Sequence, residues 1–368
     1  MRRGRLRLED DSVFDGVAFG AEEQVGGEVV FNTGMVGYPE SLTDPSYAGQ
    51  ILTLTYPLIG NYGVPLYRHD NNGLPIGFES GGIQVSGLIV AEHSEHYSHH
   101  TANRSLDAWL KSEGIPALAA VDTRALTKRL REKGTMLGAI VLEGAEVPVE
   151  LFDPNATDLV ATVSIDEVVR YDSGDDDAPT VVLLDCGCKV NIIRCLLSRG
   201  LNVLRVPHDH YFPGMEFDGL LISNGPGDQQ MCQAAIRNVE RALALDVPIL
   251  GICLGNQLLA LAAGAETFKL PFGHRSQNQP CIEVQPSGER GPRCVITSQN
   301  HGFAVRQESL PDDWRLWFVN ANDDTVEGIR HVSKPRWGVQ FHPEATPGPV
   351  DSAWIFDEFS AAVRLGRA

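Results

Sequence analysis

No apolar stretch of this sequence approaches the ~20 residues needed to span a bilayer, so a membrane location is not expected. The opening, MRRGRLRLEDDSVF, has basic residues but no apolar segment behind them, and it does not read as a signal peptide. Positive charge is scarce. Against 48 Asp and Glu there are only 30 Lys and Arg, a formal net charge of −18, which argues against a nucleic-acid partner because phosphate neutralisation needs cations. Cysteine is missing from the first half altogether. The seven present are Cys186, Cys188, Cys195, Cys232, Cys253, Cys281 and Cys294, an odd number in a long chain, which reads as reduced thiols in the cytoplasm rather than a disulfide framework. Internal repeats and low-complexity tracts are absent too.

What is present divides into unlike halves, and 368 residues suffice for two cores. Residues ~5–60 alternate polar and apolar with the period of strands, as in RLRLEDDSVFDGVAFG, GEVVFNT and ILTLTYP. VDTRALTKRLREKG predicts a helix capped by Asp122 or Thr123, with Leu126 and Leu130 on one face and Gly134 past its end. The first domain, residues 1–165, is therefore expected to be a β-rich α/β domain. Residues 166–180, with the polar RYDSGDDDAPT, read as a linker. From Val181 to the end, apolar runs such as VVLLD, GLLIS and PILGI alternate with helical segments, predicting a doubly wound, mostly parallel sheet over residues 181–368. Beyond about 281 the segments turn β-rich (CIEV, CVITS, RLWFVN, VEGIRH, WGVQF), and SAWIFDEFSAAVRLG closes the chain as a helix.

Within that second half, PILGICLGNQLLALAAG places Cys253 between Gly251 and Gly255, at a corner between strand and helix. G-x-C-x-G there has the form of a nucleophile elbow, and a helix N-terminus favours thiolate. A small cysteine filling a tight turn is the plainer alternative. In WGVQFHPEATPGP, His342 and Glu344 follow a strand, and in an extended segment i and i+2 face one way; the carboxylate can then orient an imidazole that acts as base. Oxyanion donors are available from Leu254 N–H and from SNGPGD, where Gly225 and Gly227 leave the backbone uncovered. SNGPGD could equally be a plain turn; no Gly-Lys-Ser/Thr follows, which disfavours a phosphate loop.

GICLGNQ, SNGPGD, TSQNHGFAV and FHPE, in this order, resemble the class I glutamine amidotransferases, which hydrolyse glutamine through a cysteinyl thioester and pass ammonia to a partner site. GEVVFNTGMVGYPESLTDPSYAGQILTLTYPLIGNYG and DTRALTKRLREKG resemble the N-terminal domain of the small subunit of carbamoyl phosphate synthetase. The resemblance spans residues 5–365. It implies Cys253 as nucleophile with His342 and Glu344, and Ser46, Gly225, Gly227, Leu254, Gln257, Asn300, Gly302 and Phe303 as the contacts of L-glutamine, with Ser46 reaching the pocket from the first domain. It also implies a large-subunit partner, in a heterodimer or higher oligomer, that turns bicarbonate and ATP into carbamoyl phosphate. ATP, Mg and K are expected on that partner, and no cofactor or metal on this chain. The chain departs from the family at Asn256, often His, and at GHRSQNQP (273–280), which is closer to the fused eukaryotic forms. Some urea-cycle relatives lack the cysteine that stands here at 253. The absence of synthetase sequence after Ala368 reads as a separate subunit or an excised domain.

Rival readings are the amidotransferase of another synthase, a stand-alone γ-glutamyl hydrolase and a non-catalytic docking protein. Of the remaining motifs, HSEHYSHH (93–100) has metal-like spacing but no cysteine nearby and reads as a solvated loop. DCGCK (185–189) reads as packing at a strand end, and NDDT (322–325) as a turn.

Overall fold

The computed structural model describes residues 2–144, 151–212 and 214–366. The chain forms two compact units, Met1–Thr157 and Asp158–Ala368.

The first unit is built on a closed barrel. Its strands are β1 (Arg3–Leu8), β2 (Val13–Gly20), β3 (Val25–Asn32), β4 (Gln50–Ile59), β5 (Gly87–His93), β6 (Pro116–Ala119) and β7 (Met136–Leu142), in the order β1-β2-β6-β5-β4-β3-β7. Strict alternation in RGRLRL puts every second residue of β1 inside. The interior is tight: a Cβ on Gly138 would lie 2.6 Å from Val29 Cγ2, and one on Gly87 2.7 Å from Ile140 Cδ1. Outside the barrel, Leu52, Leu88 and Val90 pack with Leu106, Trp109 and Leu110 of helix α1 (Leu106–Ser112). Helix α2 (Thr123–Lys133) forms where the sequence places it. Asp122 accepts from Ala125 N at 2.9 Å, Leu126 and Leu130 are fully buried, and Gly134 ends the helix at φ 98°.

The second unit holds a ten-stranded sheet. Its strands are β8 (Val169–Tyr171), β9 (Thr180–Asp185), β10 (Asn202–Pro207), β11 (Gly219–Ile222), β12 (Ile249–Ile252), β13 (Thr267–Val284), β14 (Arg290–Val305), β15 (Trp314–Asn320), β16 (Val326–His331) and β17 (Arg336–Val339), ordered β8-β10-β9-β11-β12-β17-β16-β15-β13-β14. The sheet is less parallel than expected. Only β10-β9-β11-β12-β17 run parallel, and the pairings flanking them are antiparallel. Helices α3 (Val190–Leu197), α4 (Gln233–Ala242), α5 (Leu254–Ala262) and α6 (Trp354–Gly366) accompany it. Ala235, Val239 and Leu258 pack with Val182, Leu184 and Leu220, while Gly219 lies against Phe359 and Val363 of α6. Among the described residues, no helix is long and apolar enough to cross a membrane.

Two expectations need correction. The stretch 166–180 is not a bare linker: Val169–Tyr171 pairs antiparallel with β10, and Ser173 N donates to Asn202 Oδ1 at 2.7 Å, so the division falls at 157/158. Acidic composition hid an edge strand. The second is the long β13–β14 hairpin, which begins well before residue 281. Its register shifts at Lys269/His274, Ser276/Gln279 and Ile282/Val284, and Pro271 and Pro280 inside β13 disguise it as loop.

Candidate active site

The corner at Cys253 exists, though the glycines serve a purpose other than turning. Cys253 itself takes the left-handed strain, with φ 55° and ψ −106° between β12 and α5. Gly251 and Gly255 permit close approach: a Cβ on Gly251 would lie 2.5 Å from Gly255 O, and one on Gly255 2.1 Å from Ile222 O. The corner is tied down by Cys253 N donating to Val339 O of β17 at 2.8 Å. The result is a thiol that is 2% exposed at the N-terminus of a nine-residue helix.

Besides His342, two described groups engage the sulfur. Gln340 Nε2 donates to Sγ at 3.7 Å, and Sγ donates to Asn300 O at 3.6 Å. Gln340 is fully buried just past β17, and its Oε1 accepts from Gln257 Nε2 at 3.1 Å and Asn256 Nδ2 at 3.3 Å. Asn256 is thus aimed at Gln340; it packs so closely on Gly338 that a Cβ there would meet its Oδ1 at 2.4 Å.

His342 Nδ1 and Glu344 Oε1 are 2.6 Å apart, both buried. His342 is bridged antiparallel to Ser298, its N donating to Ser298 O at 2.9 Å, and Glu344 lies in the turn that follows, closed by Ala345 N donating to His342 O at 3.1 Å. His342 Nε2 is buried and makes no hydrogen bond among the described residues. Burial alone would push the imidazole's pKa down, but the charges of Glu344 and then Cys253 outweigh it and the pKa is raised. Burial likewise works to raise the Glu344 pKa, but Lys189 and His342 hold it well below the usual carboxylate range.

Lys189 went unnoticed in the sequence. DCGCK was read as packing, and its cysteines fit that reading, since burial drives the Cys186 thiol's pKa far up. The lysine does more. Its Nζ lies 3.0 Å from Glu344 Oε1 and also donates to Ala345 O, and its backbone N donates to Asn224 Oδ1 of the SNGPGD loop at 3.0 Å. Nothing local marks it, because its partner is 155 residues away.

The remaining candidates fall as follows. Gln257 Nε2 donates to Phe303 O at 2.9 Å and Asn300 O meets the sulfur, so β14 brings Asn300 to the thiol and Phe303 to Gln257, with Gly302 on the strand between them. Leu254 opens α5, and Gly225 packs on it: a Cβ at Gly225 would lie 2.7 Å from Leu254 Cδ2 and 2.0 Å from Cys186 O. Gly227 adopts φ 80° further along the same loop, beside Leu159. Ser46 belongs to the first unit, in the short helix Pro45–Tyr47, buried, its N donating to Asp44 Oδ1 at 2.9 Å. In HSEHYSHH, His93 ends β5 and stacks on Phe19 at 4.2 Å while His96, His99 and His100 are exposed. None of the seven cysteines forms a disulfide.

Such an arrangement suits nucleophilic acyl transfer: a strained, buried thiol, a neighbouring imidazole with a free ring nitrogen, and a carboxylate that holds the ring. The family model "Carbamoyl-phosphate synthase small chain, CPSase domain" matches residues 6–140, and "Glutamine amidotransferase class-I" matches residues 182–362. The chain is 52% identical over 363 residues to the multifunctional protein CAD of Squalus acanthias, covering 98% of this chain and 16% of that one. It is 48% identical to the mitochondrial carbamoyl-phosphate synthase [ammonia] of Homo sapiens, covering 98% of this chain and 24% of that one. Among solved structures, a putative GMP synthase protein from Thermoplasma acidophilum aligns with TM-score 0.47 at 25% identity, covering 52% of this chain and 98% of that one. The chain spans less than a quarter of the length of these two curated relatives. It belongs to the carbamoyl-phosphate synthase small-chain family, with a class I glutamine amidotransferase domain as its second half.

Proposed function

We propose, from that membership, that the chain is the glutaminase component of a carbamoyl-phosphate synthase, releasing ammonia from L-glutamine for a large synthetase partner. The observation that carries this reading is the joint placement of Cys253, His342 and Glu344. Identity alone does not separate glutamine users from relatives named for ammonia, because the human relative is one of the latter; a thiol served by a buried imidazole–carboxylate pair supports the glutamine reading.

In the proposed reaction His342 Nε2 takes the Cys253 proton as Sγ attacks the amide carbon of glutamine. Leu254 N–H, with backbone donors of Gly225 and Gly227, meets the oxyanion; losing one such donor costs about 2.7–4 kcal/mol of transition-state stabilisation. The protonated imidazole gives its proton to the departing nitrogen, ammonia leaves, and a thioester remains. Water, deprotonated by His342, then splits the thioester to glutamate and restores the thiol. Glu344, fixed by Lys189, keeps the imidazole's Nδ1–H engaged throughout. Gln257, Asn300, Gly302 and Phe303 are assigned to holding glutamine. Ammonia passes to the large chain, where ATP, Mg and K act, in service of pyrimidine or arginine synthesis. Unpaired cysteines fit a reducing, cytoplasmic setting.

The test is carbamoyl phosphate formation by this chain with a carbamoyl-phosphate synthase large chain. Cys253→Ser should abolish the glutamine-dependent rate and leave the ammonia-dependent rate intact. Full glutamine-dependent activity in Cys253→Ser would overturn the reading.

A further inference from the structure

Behind the glutamine strand β14 lies a second cluster that the proposed reaction does not use. His274 on β13, His301 on β14 and Glu327 on β16 converge from three strands, with donor atoms all within 4.8 Å of one another. The two rings stand nearly perpendicular, at 84°, with centroids 5.0 Å apart. We propose that these three residues form a binding site for a divalent transition-metal cation of the zinc class.

The case rests on which ring nitrogens are already engaged. His301 Nδ1 lies 2.8 Å from Phe303 O, a carbonyl that can only accept, so the ring hydrogen is on Nδ1 and the Nε2 lone pair points inward. What it meets there are acceptors: Gln299 Oε1 at 3.2 Å and Glu327 Oε1 at 3.8 Å. The Gln299 amide is oriented by its Nε2, which donates to Thr297 Oγ1 at 3.2 Å. On the other side, His274 Nε2 is taken by Asp323 Oδ2 at 2.8 Å, leaving Nδ1 facing Glu327 Oε1 at 3.2 Å. Each histidine therefore gives its outward nitrogen to a carboxylate or a backbone carbonyl and turns the other to a shared carboxylate. That is the outer-shell pattern of metal-bound imidazoles.

A second observation comes from Glu327. It is completely buried, and its Oε2 has no hydrogen-bond partner among the described residues, a penalty for a buried charged group that coordination would remove. Two neutral imidazoles and one carboxylate form a known zinc donor set. With Asp323 behind His274, a divalent ion is balanced in charge. Donors of an ion bound at ~2.0–2.2 Å lie about 3.3–3.5 Å apart; the His274–Glu327 pair is already at 3.2 Å, and His301 must close in. Asp323, whose side chain is 43% exposed, marks the way in. Without an ion, Asn320 Nδ2 fills the gap, 3.1 Å from Glu327 Oε1 and 3.4 Å from His274 Nδ1, and a rotation of that amide opens the site.

The test uses the whole chain, stripped with a chelator, and titrated with cobalt(II) as a spectroscopic probe and zinc(II) as competitor. One equivalent of cobalt should bind, giving visible d–d bands without the charge-transfer absorption of thiolate ligands, and zinc should displace it. His274→Asn should abolish binding. Asp323→Asn, an isosteric change at the rim of the cluster, should weaken binding about 10–100-fold. The proposal is overturned if the stripped chain takes up no stoichiometric cobalt, if thiolate absorption places the ion on cysteine, or if folded His274→Asn binds as the parent does. Should His274→Asn not fold, unchanged affinity in Asp323→Asn overturns it equally.

Discussion

Lys189 Nζ and Glu344 Oε1 are 3.0 Å apart with their side chains 3% and 0% exposed. An ammonium so deep in a protein needs its partner, and so does the carboxylate. The pair joins the N-terminus of α3 to the turn that carries Glu344, so the imidazole is held by a charge that is itself held. Replacing the lysine alone, as in Lys189→Met, strands a buried carboxylate and should cost about 3–5 kcal/mol. Lys189→Met with Glu344→Gln should recover most of that loss, because neither charge is left behind. Urea midpoints of the single and double variants measure it; equal losses in both would contradict the coupling.

The same charges set a pH dependence. His342 has its folded pKa raised above the ordinary 6.5, so the stability it contributes is full below 6.5 and is lost as the pH climbs through the folded value into the alkaline range. Glu344 has its pKa lowered from 4.5. Its contribution is present above 4.5 and is lost as the pH falls through the lowered value. His342→Asn should therefore flatten the alkaline loss seen by urea unfolding between pH 6.5 and higher pH. An unchanged alkaline slope would refute it. In activity, the same variant should lower kcat for glutamine by about 10²–10⁴, the usual weight of general acid–base help.

Gln340 ties the thiol to Gln257 and Asn256. Removing it in Gln340→Ala takes a donor from the sulfur, and a hydrogen bond to a charged group is worth about 1.5–3 kcal/mol. The expected outcome is a roughly 10–100-fold fall in kcat for glutamine. A parental kcat in this variant would show that the amide does not support the sulfur.

Gly255 tolerates no side chain. In Gly255→Ala the new Cβ would sit 2.1 Å from Ile222 O, so α5 must shift off β11. Overpacking of this kind costs about 1–3 kcal/mol, sometimes more, and should lower the thermal midpoint and move Cys253 off the imidazole. Parental stability and activity in this variant would show that the corner is looser than its packing implies.

Much of this protein was legible from residue order. The period-2 pattern of RGRLRL, the capped VDTRALTKRLREKG and the strand–helix rhythm after Val181 are local signals, written by side-chain size and polarity within a few positions of one another. So is the corner at Cys253, which needs only a small-residue frame between an apolar run and a helical one. HPE likewise announced an imidazole beside a carboxylate, though it took the fold to make the contact through a turn. What the chain could not disclose by itself are partnerships between distant positions. Lys189 with Glu344, Gln340 under the sulfur, and His274, His301 and Glu327 on three strands become neighbours only when the sheet assembles. Register and packing, not neighbourhood in the chain, decide where a buried charge finds its counter-charge, and burial is what makes that choice costly to get wrong.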